Sequence, residues 1–305
     1  MNILVIKHGA LGDFVMASGA MKSIRNQYPN EKIILLTENK NIKFFHSIPY
    51  FNILEVDNRK SIFISLFMIF KLIFKHKINL VIDLQNSSRT QFYHFFINKF
   101  SKVKISSSRK YSHYRYFIPP QGEEHVITGL NKQLSLIGFK NFENPDLNWM
   151  IKNPHQILKK KYIILIPGSS HKGSYKKWSE EGYAELSNYF IKQGFDIYLT
   201  GSKQDIKTIE LIQKKCPEAI NKINESKIEN FLELCTNSSF IVANDTGPTH
   251  IAALSNRPLF WIAIDNSISK SCQPFGKKII PILSGNLMDI KSSDVIDKIQ
   301  SSDLS

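Results

Sequence analysis

Short apolar runs alternate with longer segments of helical periodicity along most of the chain. The runs predict strands at 2–6, 32–36, 53–56, 80–84, 162–166, 195–200, 240–243 and 259–263. The intervening segments place apolar residues three or four positions apart, and they predict helices that begin at Phe14 and after Ser179 and that span 39–46, 61–76, 88–99, 124–137, 203–215, 226–236 and 290–300. Strands that alternate with helices indicate parallel sheets covered by helices on both faces.

This alternation is interrupted once. Residues 139–160 lose the periodicity, contain Pro145 and Pro154, and end in a run of lysines. At 305 residues the chain is also long for one hydrophobic core. The interruption therefore predicts two domains rather than one.

The predicted fold class is α/β, with two doubly wound, Rossmann-like domains and a cleft between them. We place an N-terminal domain at 1–145, a linker at 146–160 and a C-terminal domain at 161–305. The last helix is a candidate for packing back on the N-terminal domain. Folds of this class bind ligands at the carboxyl ends of their strands, so strand-end residues are the candidates for function.

Charge favours an anionic partner. The chain has 40 Lys and Arg against 26 Asp and Glu, a formal net charge of +14, which suits phosphorylated small molecules, an acidic membrane surface or nucleic acid. Cys216, Cys235 and Cys272 are widely spaced and odd in number, which fits neither a disulfide framework nor a zinc site and favours a reducing cytoplasm. The first residues form too short an apolar run for a signal peptide.

The most apolar stretch, residues 61–74, allows two interpretations. Its 14 residues include Lys71, so the stretch is too short to span a bilayer and is typical of a core helix or an interfacial helix. Flanking basic residues permit contact with a membrane surface. The core helix is the favoured interpretation.

Several catalytic templates are excluded by the sequence. The segment 168–173 has the glycine spacing of a phosphate-binding loop, but Ser174 stands where the lysine belongs. The chain contains no G-x-G-x-x-G after the first strand, no G-x-S-x-G, no Asp-x-Asp pair and no H-E-x-x-H. We accordingly predict no metal and no cofactor, and we expect no nucleic-acid partner, because no such signature accompanies the charge.

Polar residues at predicted strand ends carry the remaining chemistry. The stretch 244–250, Asn-Asp-Thr-Gly-Pro-Thr-His, joins a strand to a helix and either binds an anion through backbone N–H groups or is an ordinary capped turn. The other candidates are Gly12, Asp13, Asp83, Ser169, Ser170, Lys176 and Lys177. A carboxylate on one half, with lysines and a helix N-terminus on the other, suits a metal-independent transferase.

Four blocks in order resemble one known family. They are the strand 3–6 with Leu11-Gly12-Asp13, the segment Val81-Ile82-Asp83-Leu84-Gln85, Pro167-Gly168 with Lys176-Lys177-Trp178, and the stretch 244–250. Together they resemble the ADP-heptose:lipopolysaccharide heptosyltransferases, glycosyltransferase family 9, which has the two-domain GT-B fold. The resemblance implies an inverting transfer of a sugar, heptose in this family, from a nucleotide diphosphate to a lipopolysaccharide core.

The resemblance also implies roles for individual residues. Asp13, which otherwise caps a helix, would be the general base on the acceptor hydroxyl, with Gly12 in its turn. Lys176, or its neighbour Lys177, would bind the donor diphosphate. The remaining implied donor-binding residues are Ser169, Ser170, Thr246, Gly247 and His250, for which turn capping and helix packing are the alternatives.

Three further residues have implied supporting roles. Asp245 would shape the turn and orient His250. Lys7, where the family usually has Arg, and Asp83 are acceptor-binding candidates, and Asp83 is equally a candidate helix cap.

The expected partners are ADP-heptose, an anionic lipopolysaccharide-core acceptor and the inner-membrane surface, with the protein cytoplasmic or peripheral on that membrane. One departure leaves the donor open. After Trp261 the family usually has a glycine and a Thr- and Pro-containing loop, whereas this chain has Ile264-Asp265-Asn266-Ser267. The alternatives are a different nucleotide sugar, for capsule or protein glycosylation, and a non-catalytic nucleotide-sugar-binding homologue.

Overall fold

The computed structural model of the chain describes residues 1–151, 161–169, 175–223 and 228–302. The chain divides into two compact units, Met1–Trp149 and Met150–Ser305. Each unit contains its own six-stranded parallel sheet. These two sheets with their covering helices confirm the predicted α/β, doubly wound fold class.

The first unit alternates strands and helices from its first residues. Its strands are β1 Asn2–Ile6, β2 Lys32–Thr37, β3 Ile53–Val56, β4 Leu80–Asp83, β5 Lys104–Ser107 and β6 Tyr114–Arg115. Its helices are α1 Leu11–Gln27, α2 Asn39–Phe45, α3 Ile62–His76, α4 Ser88–Phe100 and α5 Val126–Ser135. The strand order is β3-β2-β1-β4-β5-β6, the order of a dinucleotide-binding Rossmann sheet.

Successive side chains along each strand of this sheet point to opposite faces. On one face Leu4, Ile6, Ile34 and Leu36 form a buried cluster with residues of α3 and α4, such as Ile69. Helix α1 packs against α5. Asp83 pairs with Ile6 in register across β4 and β1, so the loops that follow these two strands start side by side.

The second unit repeats the pattern. Its strands are β7 Tyr162–Ile166, β8 Asp196–Leu199, β9 Ile220–Asn221, β10 Ile241–Asn244, β11 Leu259–Ile264 and β12 Ile279–Ser284. Its helices are α6 Glu180–Lys192, α7 Ile206–Lys215, α8 Ile228–Asn237, α9 Gly247–Ala253, α10 Ser267–Ser271 and α11 Ser292–Gln300. The order β12-β11-β10-β7-β8-β9 is the first sheet's order written from the other edge.

Helix α11 packs against α6 within the second unit. Its Val295 and Ile299 join the buried cluster of this unit's sheet, and Gln300 donates a hydrogen bond to the Tyr189 hydroxyl on α6. The last helix therefore has an apolar partner in its own unit.

The sequence did not predict strands β5, β6, β9 and β12. Three of these are edge strands, and β6 and β9 have only two residues each. Residues 226 and 227 of one predicted helix, and most of the predicted linker, lie outside the described residues. None of the described helices combines the length and apolar character needed to cross a membrane.

Candidate functional site

In each sheet the strand order reverses at one place, between β1 and β4 in the first and between β7 and β10 in the second. Loops that leave the carboxyl ends of strands at such a point diverge and leave room for a ligand. Asp13 follows β1 and Asp83 ends β4, whereas Ser169 follows β7 and Asp245 follows β10. These four predicted site residues therefore lie at the two switch points.

Asp13 lies in the first turn of α1 with an exposed side chain. The helix begins at Leu11, so Asp13 is its third residue, and its carboxylate accepts a hydrogen bond from the Ala10 N–H at 3.3 Å. A carboxylate is favourable here because the first turn carries the positive end of the helix dipole. Gly9 has φ +98°, and a Cβ there would come within 3.2 Å of the Asp13 carboxylate.

Lys7 lies buried in the same loop. Its Nζ donates to the Leu84 carbonyl at 3.4 Å. Burial lowers the pKa of Lys7, and attraction to the Asp13 and Asp83 carboxylates opposes that decrease. Lys7 therefore interacts electrostatically with both carboxylates of this switch point.

Two charged contacts hold the loop that carries Lys7. His8 Nε2 lies 3.5 Å from Asp57 Oδ2, and both side chains are buried. Burial alone would raise the pKa of Asp57, but hydrogen bonds from His8, Ser65 and the Arg59 N–H lower it to about 2. Glu38 accepts the Gly9 N–H at 3.3 Å and pairs with Arg59 at 3.0 Å.

Asp83 is completely buried and supports the neighbouring loop. Its carboxylate accepts the N–H groups of Gln85 at 2.9 Å and Asn86 at 3.1 Å and lies 3.2 Å from the buried His94 Nε2. Burial alone would raise its pKa, but hydrogen bonds and the charge of His94 lower it. The helix cap that follows is Ser87 instead. This geometry leaves Asp83 without an exposed atom for an acceptor.

Asn244 organises the second switch point. Its side chain is buried; Oδ1 accepts from the Trp178 N–H at 3.2 Å and the Tyr183 hydroxyl at 3.0 Å, and Nδ2 donates to the Pro167 carbonyl at 2.8 Å. One amide therefore connects the ends of β7 and β10 with the segment before α6. Trp178 is itself buried and donates to the Ile290 carbonyl.

This arrangement places Lys176 beside the turn that follows β10. Lys176 Nζ lies 2.5 Å from Asp245 Oδ2, and the two side chains are 27% and 8% exposed. Burial alone would lower the pKa of Lys176, but its hydrogen bond and ion pair with Asp245 raise it. Lys177 points elsewhere, because its Nζ donates to the Thr208 hydroxyl on α7 at 2.9 Å.

The turn after Asp245 exposes backbone donors. Thr246 is the N-cap of α9 in extended conformation, and its side chain makes no cap hydrogen bond. Within the described residues, the N–H groups of Thr246 and Gly247 have no backbone acceptor, as is general for the first turn of a helix. His250 lies in α9 and is 7% exposed.

Gly168 is required by close packing at the end of β7. A Cβ there would lie 2.2 Å from the Asp205 Cγ, and Asp205 is held by the N–H and hydroxyl of Ser202, each at 2.8 Å. Ser169 is buried beside it. Ser170 and residues 171–174 lie outside the described residues.

Several supports of the two switch points were not predicted from the sequence. They are the hydrogen-bonding role of the Asn244 side chain, the carboxylate of Asp205, and the network of His8, Asp57, Glu38 and Arg59. Asn244 carries a usable signal, because a polar residue ends an otherwise apolar strand. The others approach their partners from distant parts of the chain, so no local spacing marks them. Among the described residues, no group of three or more His, Cys, Asp or Glu is arranged to hold a metal ion.

Known proteins resemble the chain in sequence. The sequence model of glycosyltransferase family 9 (heptosyltransferase) matches residues 71–267. The chain is 25% identical to lipooligosaccharide heptosyltransferase 2 of Haemophilus influenzae, with 96% of this chain and 92% of that protein covered.

Solved structures resemble it in fold. The structure of the Escherichia coli ADP-heptose LPS heptosyltransferase II matches with a TM-score of 0.77 at 18% identity, covering 99% of this chain and 98% of that one. The structure of the E. coli heptosyltransferase WaaC with ADP matches with a TM-score of 0.76 at 15% identity, covering 98% and 99%. These two matches extend over nearly the whole chain.

Proposed function

The chain belongs to glycosyltransferase family 9, and from that premise we propose that it transfers heptose from ADP-heptose to a lipopolysaccharide-core acceptor, with inversion and without a metal ion. Its similarity to a lipooligosaccharide heptosyltransferase supports heptose as the sugar and lipooligosaccharide as the acceptor class. The structurally similar WaaC was solved with ADP, which supports ADP as the nucleotide. The three cysteines are free thiols, which suits a reaction on the cytoplasmic side of the inner membrane.

The Lys176–Asp245 pair is the observation that carries the donor site. A lysine with one carboxylate partner keeps two N–H bonds free for phosphate oxygens, and a raised pKa keeps it charged. The Thr246 and Gly247 N–H groups add donors from the same turn. We therefore assign the donor diphosphate to this switch point, with Ser169, Ser170 and His250 as further candidates and Lys177 as the less favoured lysine.

Asp245 has a positioning role in this proposal. A carboxylate beside a diphosphate repels it unless a cation lies between them. The ion pair places Lys176 in that position and leaves the Asp245 side chain only 8% exposed. Asp245 therefore fixes the lysine rather than accepting a proton from the substrate.

Asp13 is the proposed general base. Its carboxylate is exposed, and Gly9, where a Cβ would come within 3.2 Å of that carboxylate, leaves space beside it. It would take the proton of the acceptor hydroxyl while that oxygen forms a bond to the anomeric carbon of the donor sugar. The bond from that carbon to the diphosphate breaks at the same time, and ADP leaves with the bonding electron pair, stabilised by Lys176. Attack opposite the leaving group inverts the anomeric centre.

Lys7 and Asp83 have supporting roles around the proposed base, Asp13. The buried Lys7 interacts electrostatically with the Asp13 carboxylate, and its hydrogen bond to the Leu84 carbonyl holds it in the same region. Asp83 has no exposed atom, so we give it no direct contact with the acceptor and assign it to the loop that follows β4.

The nucleotide base of the donor is tested separately. The loop after β11 departs from the family pattern, with Lys270 paired to Asp265 at 2.7 Å and Asn266 capping α10. A donor panel tests it: ADP-heptose, GDP-mannose and UDP-glucose are each titrated calorimetrically into the purified protein. We expect ADP-heptose to bind at least about tenfold more tightly than the others, a difference of about 1.4 kcal/mol. Tighter binding of a GDP- or UDP-sugar would replace the proposed donor while keeping the family.

A further inference from the structure

The outer surface of helices α3 and α4 is apolar where a surface helix is usually polar. On α3, Phe63, Ile64, Phe67 and Phe74 are 66–74% exposed. The same helix buries its opposite side, including Ile69, Leu72 and Ile73, against the sheet. Helix α3 therefore has two apolar faces, and one of them has no partner among the described residues.

Helix α4 extends this surface. Phe63 of α3 and Phe92 of α4 have ring centroids 6.2 Å apart, and Phe92, Phe96 and Phe100 form a row with neighbouring centroids 4.9 and 6.2 Å apart. Phe100 is 59% exposed. We refer to the exposed residues as the apolar patch, which consists of Phe63, Ile64, Phe67, Phe74, Phe95 and Phe100. Exposed apolar clusters of this kind mark interaction sites.

The chain segment that carries the patch is rich in basic residues. Between residues 58 and 117 the sequence has one acidic residue, Asp83, which is fully buried. The same interval contains twelve basic residues: Arg59, Lys60, Lys71, Lys75, Lys77, Arg89, Lys99, Lys102, Lys104, Arg109, Lys110 and Arg115. Lys71 and Lys75 lie on the exposed side of α3 itself, and Lys99 Nζ lies 5.5 Å from the Phe100 ring centroid.

A groove at one end of the patch combines an apolar wall with basic side chains. It has a volume of about 380 Å³ and is lined by Phe74, Lys77, Asn79, Ser101 and Lys102, among others. Two lysines, an amide and a hydroxyl beside an aromatic ring provide donors for a phosphate group and an apolar wall next to it.

We propose that the outer surface of α3 and α4 binds the surface of an anionic lipid bilayer. The phenylalanines insert among the acyl chains near the headgroups, and the lysines contact lipid phosphates, as in helices that lie in a membrane interface. The positive charge of this surface favours an anionic bilayer over a second copy of the chain. A second copy would bring an equally basic surface against this one, and lysines such as Lys71, Lys75 and Lys99 would repel those of the other copy.

The proposal does not depend on the transferase assignment, because vesicle binding requires no turnover. The experiment is flotation of the full chain with vesicles of phosphatidylglycerol and phosphatidylcholine, compared with phosphatidylcholine alone. We expect the protein to float with the anionic vesicles and to stay behind with the neutral ones, and added salt to weaken the binding. Equal binding to both vesicles, or binding to neither, would overturn the proposal.

Two sets of variants locate the binding surface. The triple variant Phe63→Ser, Phe67→Ser, Phe74→Ser should reduce the vesicle partition coefficient more than about tenfold. Its control is Leu211→Ser with Met288→Ser, exposed apolar residues of the second unit, which should float like the wild type. A loss of flotation in the control but not in the triple variant would place the binding elsewhere.

The lysines provide a second measurement that does not depend on how the phenylalanine variant folds. Lys71→Gln, Lys75→Gln, Lys99→Gln should lower the partition coefficient about a hundredfold, at about fivefold per lysine. The control Lys192→Gln, Lys214→Gln, Lys298→Gln makes the same change in net charge on exposed positions of the second unit. Equal losses in both triples would show that bulk charge is responsible and would refute the assignment to α3 and α4.

If the phenylalanine variant instead changes the oligomeric state and the wild type does not float, the surface is a contact between copies and the proposal is wrong.

Discussion

Asp13 and Asp245 both follow a buried strand at the switch point of their sheet, yet the two carboxylates have different surroundings. Asp13 is exposed and accepts one backbone N–H. Asp245 is 8% exposed and paired with Lys176. An exposed carboxylate in the first turn of a helix is available to a substrate, whereas a paired and shielded one holds its partner in place. Carboxylates at the switch points of two similar sheets can therefore serve different chemistry.

The supports of the two switch points differ as well. In the first unit the loop is held by charged contacts, His8 with Asp57 and Glu38 with Arg59. In the second unit the neutral amide of Asn244 makes the corresponding connections. The lowered pKa of Asp57 makes the first support sensitive to acid, whereas the Asn244 amide does not titrate. The two regions should consequently respond differently to acid.

The largest expected effect distinguishes the role of Asp13 from that of Asp245. Asp13→Asn should lower kcat by about 10² to 10⁴, the usual contribution of a general base, with little change in melting temperature or ADP affinity. Asp245→Asn should lower kcat by a smaller factor and weaken ADP binding instead. Asp297→Asn, an exposed position on α11, is the matched control. Steady-state kinetics measure kcat for all three variants, and calorimetry measures their ADP affinity. Full activity in Asp13→Asn would contradict the proposed difference between Asp13 and Asp245.

The next effect tests the lysine that Asp245 positions. Lys176→Ala should weaken ADP binding about 10- to 100-fold, because a hydrogen bond to a charged group contributes about 1.5–3 kcal/mol. Lys177→Ala is the matched control, since its Nζ bonds to Thr208, and its ADP affinity should stay close to that of the wild type. Calorimetric titration of ADP measures both. A greater loss in Lys177→Ala would assign the phosphate to the other lysine.

A smaller effect concerns the packing of the second switch point. Gly168→Ala should destabilise the protein by about 1–3 kcal/mol, the usual cost of overpacking, because the new Cβ would meet the Asp205 carboxylate. Gly285→Ala is the control, since a Cβ there has no neighbour within 4 Å in the described part of the chain. Urea unfolding monitored by circular dichroism compares them, and equal stabilities would show that the end of β7 is loosely packed.

The smallest effect tests the charged support of the first switch point. The pKa of Asp57 is lowered from 3.8 to about 2 in the folded protein. A lowered carboxyl pKa stabilises the fold above the unfolded value, and this contribution, about 2 kcal/mol, is lost as the pH falls from about 4 through 2. Asp57→Asn should lack this pH dependence. The unfolding free energy of both proteins between pH 5 and 2 provides the comparison, and identical slopes would contradict it.

The fold was largely predictable because its elements have local signals. Strands such as β7 and β10 are continuous apolar runs, and Ser179 caps α6 as the sequence suggested. The two-residue strands β6 and β9 could not be found in this way, because so short a strand has no periodicity and is defined by its neighbour. Strand β12 contains Pro281, a residue that breaks most strand patterns but is tolerated at the edge of the sheet.

The candidate site was predictable in its location but not in its supports. Asp13 and Asp245 were found because each stands where a strand gives way to a helix. The sequence favours Lys176 as the phosphate-binding candidate with Lys177 as its neighbour, and the side-chain contacts that separate them, Lys176 with Asp245 and Lys177 with Thr208, could not be predicted from adjacent positions. The pairing of His8 with Asp57 joins residues 49 positions apart, which no spacing rule connects.

Transfer itself is the most direct test of the proposed function. The wild-type protein and Asp13→Asn are incubated with ADP-heptose and a heptose-deficient lipopolysaccharide core, and the acceptor is analysed by mass spectrometry while ADP release is followed. The account predicts that the wild type adds a single heptose and releases one ADP per product, and that Asp13→Asn forms product at least about a hundredfold more slowly while binding ADP normally. No heptosylated product from the wild type, or equal rates in the two proteins, would contradict it.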